Sequence, residues 1–185
     1  GELKDLSMPS VRFSVSVEPM ESDTGFDATG ADNVKFLISA NAGEALGRIS
    51  KIASGGELSR IMLAMKTVFS KNDPIETMVF DEIDTGVSGI AAQRVGEKMS
   101  DLSRGKQVLC ITHLPQIAAI ADNHDLIEKT ERNGRTYTEV RELDRKGRAL
   151  ELARMHGGDN ISELTLASAE EQLLAADKYR LTRNN

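Results

Sequence analysis

Val11, Phe13, Val15 and Val17 alternate with Arg12, Ser14, Ser16 and Glu18 in VRFSVSVEP, a period of two that predicts a strand with one buried face. VKFLISAN (34–41) predicts a shorter second strand. The Gly, Asp and Thr residues of MESDTGFDATGADN, between the two, supply turn chemistry, so the spacing predicts an antiparallel pair joined by a long loop. Two further runs are almost continuously apolar: TMVF, leading to Asp81, and VLCIT, leading to His113. Such runs predict strands buried on both faces, as in parallel sheets. GIAAQRVGEKMSDLS, lying between them, has the length of a crossover helix. Upstream, Leu58, Ile61, Met62, Met65, Val68 and Phe69 recur at helical spacing and predict the apolar face of a core helix.

Past LPQIAAIAD, a short helix with Pro115 in its first turn, the segment DLIEKTERNGRTYTEVREL predicts a hairpin about Asn133-Gly134. The remaining sequence predicts one helix that stops at Gly157-Gly158 and an amphipathic tail helix fraying at LTRNN. No internal repeat or low-complexity tract interrupts this order. The pattern is α/β, divided into 1–10 as the end of a preceding helix or linker, 11–158 as the main unit and 159–185 as a tail helix. The opening GELKDL reads as the end of a longer segment.

Composition narrows the class. A chain of 185 residues, 39% hydrophobic, suffices for one sizeable domain with an ordinary core. No run of 18 apolar residues exists, and the start has neither a basic n-region nor an apolar h-region, so the sequence predicts no membrane partner and a cytoplasmic location. The single cysteine, Cys110, lies inside VLCIT and predicts a buried, inert thiol in a reducing compartment. A net charge of -6 argues against a chain that coats nucleic acid by itself. From Lys129 to Arg148, however, seven Lys and Arg face four acids, which makes Arg135 and Arg141 candidate DNA contacts. A solvated hairpin and helix start is the simpler reading, since no aromatic stacking platform accompanies the charge.

The stretch KIASGGELSR places two glycines at a helix start, where each costs about 1 kcal/mol relative to alanine. Ser54 and Glu57 form a capping box, which explains those two residues and leaves Gly55 and Gly56 unexplained. Unpaired N–H groups and the positive end of the helix dipole attract an anion, and missing side chains let a phosphate approach. The next motif, TMVFDEID, ends a buried strand in Asp81-Glu82, at the sheet edge where α/β proteins bind ligands. Asp81 suits a hard Mg2+ ion held through water, and Glu82 suits a base that orients or deprotonates an attacking water. A plain polar strand end is the alternative. His113, at the end of the second parallel strand, could donate to a γ-phosphate; a histidine before Leu-Pro is otherwise an ordinary turn residue.

Ser-Gly-Gly-Glu, an apolar-Asp-Glu run 27 residues later and a strand-terminal histidine 32 residues after Asp81 occur in order. Together they resemble the C-terminal half of an ATP-binding-cassette head: SGGE the signature motif, MVFDE the Walker B strand, ITH the switch-histidine strand. Transporter subunits usually place proline after the catalytic glutamate. DEID instead resembles the SMC-like branch of chromosome-maintenance and recombination-repair proteins. The resemblance implies an α/β fold, the C-terminal lobe of a P-loop ATPase head, with ATP and Mg2+ held between two heads of a homodimer. It further implies Asp81 supporting Mg2+, Glu82 and His113 as catalytic groups, and Ser54, Gly55, Gly56 and Glu57 meeting the nucleotide in trans. DNA double-strand-break repair and recombination in the bacterial nucleoid is the implied setting, with DNA as a partner.

Two departures qualify the match. The inter-head loop has Ser88 where many SMC-like heads have aspartate, which leaves Asp84 as the acidic candidate there. No Gly-x-x-x-x-Gly-Lys-Ser/Thr loop occurs, and SRGKQ (103–107) lacks its first glycine and its Mg2+-ligating hydroxyl. The resemblance implies that this Walker A motif lies in an N-terminal segment beyond a coiled coil, and that the present chain alone binds ATP poorly and hydrolyses almost none. Two other classes compete. A transporter ATPase subunit would copurify with a membrane partner; a non-catalytic interaction module would show no nucleotide-dependent protection around Ser54.

Overall fold

The alternating segments form the antiparallel pair that their period predicts. The computed structural model describes residues 1–21, 23–39, 42–49, 55–70 and 72–182. After a short helix α1 (Glu2–Asp5), strands β1 (Arg12–Pro19) and β2 (Asp32–Ser39) pair with Val15 opposite Phe36 and Val17 opposite Val34. A two-residue strand β3 (Gly47–Arg48), too short to leave a periodic signal, adds to the β2 edge. The apolar face of the pair is only partly covered: Ile38 is buried beside Met8 and Ile61, whereas Phe13, Val15, Val17, Val34 and Phe36 remain exposed. Phe13 and Phe36 stack on each other with ring centroids 5.8 Å apart.

Helix α2 (Gly55–Phe69) follows. Its buried stripe is Gly56, Arg60, Ile61, Leu63 and Ala64, positions i, i+4, i+5, i+7 and i+8 of one helical face. This corrects the predicted face. Val68 and Phe69 extend past the core and are exposed, and Leu63, off the predicted stripe, is fully buried.

Strands β4 (Thr77–Phe80) and β5 (Gln107–Cys110) pair in parallel, connected by helix α3 (Gly89–Leu102), as the two apolar runs and the length between them predict. Met78 and Phe80 pack with Leu63, Ala64, Ile83, Val95, Met99, Leu102 and Ile117 into the main core. Only one face of this sheet is covered, contrary to the two-sided burial expected: Val79, Leu109 and Ile111 are at least half exposed. Among the described residues, the sheet has two strands and its core lies on the Met78 and Phe80 side.

Helix α4 (Pro115–Ile120) opens with Pro115 in its first turn. Strands β6 (Asp125–Arg132) and β7 (Arg135–Glu142) form the predicted hairpin, with Asn133 and Gly134 both at positive φ, 54° and 70°. Positive φ at both central residues is the requirement of a type I′ turn and the reason for the Asn-Gly pair. Helix α5 (Arg145–Gly157) is capped by Asp144, whose Oδ1 accepts from Gly147 N at 2.7 Å, and ends at Gly158. Helix α6 (Glu163–Thr182) buries Ala169 and Leu173 against Ala118, Ala119, Ala149, Leu152 and Ala153, so the tail helix packs onto α4 and α5 of its own chain. No helix among the described residues is long and apolar enough to cross a membrane.

Candidate functional site

The parallel register places the chemically loaded residues on one edge. Phe80 lies opposite Cys110, and Ile111 N donates to Phe80 O at 3.0 Å, so the ladder ends just before Asp81 on one strand and Thr112-His113 on the other. Asp81 is exposed; its Oδ1 accepts from Glu82 N at 2.9 Å and its backbone oxygen accepts from Ser59 Oγ at 3.0 Å. Glu82 is exposed and has φ +57°, the left-handed region, which costs a residue with a Cβ about 1–2 kcal/mol. That conformation is held from both sides. Asp81 grips its amide, and the following Ile83 is fully buried in the core.

The first turn of α2 packs against this loop. A Cβ on Gly56 would lie 2.7 Å from Thr85 O, 2.9 Å from Thr85 Cβ and 3.1 Å from Glu82 O. Close backbone approach within the chain therefore requires glycine at 56, a reason that periodicity and capping signals do not reveal. Gly55 is exposed, and a Cβ there would meet Glu82 Oε2 at 2.5 Å. The Glu82 carboxylate thus rests over the start of α2, where a negative charge is favoured. Glu57 is half-buried in that same turn; Ser54, the serine of the capping box, lies outside the described residues.

Arg60, which sequence reasoning missed, ties α2 to the same loop. It is buried, and Nη1 donates to Thr85 O at 2.8 Å and to Ile83 O at 3.4 Å. Burial lowers the pKa of its guanidinium. Its one legible signal is a charged residue four positions after Gly56 on the helical face.

Asp84 and Ser88, the inter-head loop residues of the sequence reading, have different surroundings. Ser88 is exposed and precedes α3, with no side-chain capping bond. Asp84 is 4% exposed and faces inward. Its Oδ2 accepts from Thr112 Oγ1 at 2.6 Å and from His113 N at 2.9 Å, and lies 3.0 Å from His113 Nδ1. The structure therefore joins Asp84 to His113, and it joins Glu82 to Gly55.

Two arginines fix the helix that leaves His113. Arg148 donates to the backbone oxygens of Ala118, Ala119, Ala121 and Asp122 at 2.7–3.3 Å, and Arg180 donates to those of Ile120 and Ala121 at 3.2 and 2.6 Å. These carbonyls lie at and just beyond the C-terminus of α4, the negative end of its dipole. Arg148 is buried, and burial with the nearby Arg180 charge lowers its pKa. Its place in the basic segment from 129 to 148 is thereby corrected: it is a structural cap. Arg135 and Arg141 lie on β7, where every residue is exposed; Arg141 is 3.6 Å from Glu128, and the neighbouring Arg132 is 2.6 Å from Glu139.

Cys110 is half-buried. It is thus less covered than the buried thiol predicted; burial first, then the Asp84 and Asp81 charges, pushes the thiol up to about 12. No cluster of three or more His, Cys, Asp or Glu side chains suited to a metal occurs among the described residues. Asp81 supplies one hard carboxylate, a donor set that fits Mg2+ in the mode where phosphate and water oxygens complete the coordination.

Comparison with known proteins gives two kinds of match. No family model matches the chain. The DNA repair protein RecN of Bacillus subtilis (strain 168) is 51% identical over 153 residues, 83% of this chain and 27% of that protein. RecN of Treponema pallidum (strain Nichols) is 46% identical over 183 residues, 97% of this chain and 32% of its own length. The chain thus spans about a third of the curated relatives it matches. Among solved structures, the Smc head domain with a coiled coil and joint derived from Pyrococcus yayanosii superposes with a TM-score of 0.58 at 22% identity, covering 84% of this chain and 28% of that one. The structural likeness establishes the fold, an α/β lobe of an SMC head.

Proposed function

Since this chain is homologous to the DNA repair protein RecN and has the fold of an SMC head domain, we propose that it is the signature and Walker B part of an ATPase head acting in DNA double-strand-break repair and recombination. One observation carries the reading: the ends of β4 and β5 lie in register, so Asp81, Glu82 and His113 leave adjacent parallel strands at a common edge. In this reading ATP lies between two heads of a homodimer. ATP and Mg2+ are gripped tightly only when an N-terminal Walker A segment of the same protein completes the head. The bare Val79, Leu109 and Ile111 face of the parallel sheet supports completion by further polypeptide, because parallel strands are ordinarily covered on both faces.

The roles follow from the chemistry of each group. Asp81 would hold Mg2+, which would offset charge on the phosphates. Glu82 orients the attacking water and takes its proton as the water oxygen bonds to the γ-phosphorus and the bond to the bridging oxygen breaks, releasing ADP. His113 faces the γ-phosphate. Ser54, Gly55, Gly56 and Glu57 form the signature turn that meets the nucleotide of the opposing head; of its glycines Gly55 is the exposed one. Catalysis is mainly positioning and electrostatic stabilisation, because phosphoryl transfer asks little covalent chemistry of the protein.

The test is Glu82→Gln in the intact protein. Loss of a general base lowers turnover about 10²–10⁴-fold. Head engagement should persist, so the variant should accumulate ATP-dependent dimers by size-exclusion chromatography. A variant that keeps its turnover, or loses it without trapping dimers, would sink the role given to Glu82. For DNA, charge reversal at Arg135 and Arg141 reads whether β7 contributes: removing an arginine that pairs with a phosphate flattens the slope of log affinity against log salt by about 1. An unchanged slope removes both residues from the DNA-facing surface.

A further inference from the structure

We propose that Asp84 is the positioning residue for His113: its buried carboxylate fixes the proton on Nδ1 and turns Nε2 outward as the atom that meets the phosphate. The inference rests on the placement of His113 at the γ-phosphate in the preceding section.

Two hydrogen bonds and a close imidazole approach converge on one oxygen. Asp84 Oδ2 accepts from Thr112 Oγ1 at 2.6 Å and from His113 N at 2.9 Å, and His113 Nδ1 lies 3.0 Å away. A carboxylate only 4% exposed is costly unless such donors satisfy it, and here all of them come from two consecutive residues at the end of β5. An ionised carboxylate is acceptor-only, so a ring nitrogen 3.0 Å from it is stabilised when it carries the proton and repelled when it presents a lone pair. The partner of a histidine's inner nitrogen sets its tautomer and ring orientation. His113 is itself 74% exposed, which leaves Nε2 as the outward nitrogen.

The backbone around the ring is fixed as well. Thr112 Oγ1 donates to Asp84 and accepts from Leu114 N at 3.0 Å, so one hydroxyl links the carboxylate to the peptide that opens α4. Asp84 stands two residues after Glu82 in the same loop. A single carboxylate thereby couples the turn that carries Glu82 to the strand end that carries His113, and sets the relative position of two groups that act on one phosphoryl centre.

The experiment uses the intact protein with 15N in its histidine rings, the His113 signals being those that vanish in His113→Gln. In the unprotonated ring, the wild type should show the Nδ1–H tautomer. Asp84→Ala should shift the signal toward Nε2–H, whereas Asp84→Asn, which keeps an acceptor oxygen in place, should restore Nδ1–H. Should Asp84→Ala fail to fold, the wild-type spectrum still decides, because an Nε2–H ring there overturns the proposal. ATP turnover gives the second readout. Misplacing a catalytic group costs about 10²-fold, so Asp84→Ala should lower kcat by about that factor with KM little changed. Adding it to His113→Ala should cost nothing further, because residues acting as a unit are non-additive. A double variant markedly slower than His113→Ala shows Asp84 acting independently and overturns the proposal. If His113→Ala itself keeps full turnover, the role of His113 at the phosphate fails, while the tautomer result still reports the bond between Asp84 and the ring.

Discussion

Replacing Gly56 by alanine tests the packing of α2 on the loop that carries Glu82. The added Cβ would lie 2.7 Å from Thr85 O, about 0.7 Å inside the 3.4 Å at which ordinary contact begins. The oxygen has little room to retreat, since it accepts from Arg60 Nη1 at 2.8 Å and Thr85 N is itself bonded to Glu82 O at 3.1 Å. Overpacking of this kind costs about 1–3 kcal/mol, against which helix propensity returns at most about 1 kcal/mol. The expected net loss is about 1–2 kcal/mol, a fall in melting temperature of about 2–8 °C for a chain of this size. Gly55→Ala is the internal control. Its Cβ would meet only Oε2 of Glu82, the free end of a flexible side chain, so stability should stay within about 0.5 kcal/mol while the carboxylate swings aside. Urea denaturation of the two variants beside the wild type gives the comparison. If Gly56→Ala unfolds at the same or a higher midpoint than Gly55→Ala, the close-approach explanation of Gly56 is wrong.

Two further outcomes are expected. With a native pKa near 12 against about 8.5 for a free thiol, Cys110 should react with a disulfide reagent at pH 8 about 10³-fold more slowly folded than unfolded. Because the folded state holds this proton more tightly, the associated stability is complete below the unfolded pKa and falls away as pH rises toward 12; rapid labelling of the folded protein at pH 8 would contradict the burial. Arg148→Met should cost about 2–4 kcal/mol by removing a charged donor from four carbonyls, whereas Arg135→Met, on an exposed strand of the same basic segment, should stay within about 0.5 kcal/mol. Equal losses in thermal melts would refute the capping role.

Periodicity reached the elements and failed at the surfaces they present. The runs TMVF and VLCIT yielded a parallel pair because continuous apolar strands and a helix-length spacer have few other solutions. Asn133-Gly134 marked its hairpin for the same kind of local reason, a backbone geometry few residue pairs tolerate. Burial was harder to read. Val68 and Phe69 match a core stripe but extend past the packed region, and Val79 has the same apolar chemistry as Met78 on the opposite face of the strand. The site divides similarly. Asp81, Glu82 and His113 were legible as strand-terminal polar groups, whereas the buried positions of Asp84, Arg60 and Arg148 depend on partners 23 to 30 positions away in sequence, which no local pattern encodes.

Arg180 reaches back from the last helix to the carbonyls at the end of α4, a few residues downstream of His113. The tail is therefore a strut for the helix that follows His113. Alleles with a stop codon ahead of Arg180 still encode SGGE, DEID and ITH, yet they should behave genetically as nulls. Complementation by the missing helix supplied as a separate peptide, and its failure when that peptide carries Arg180→Ala, would show the support to be mechanical.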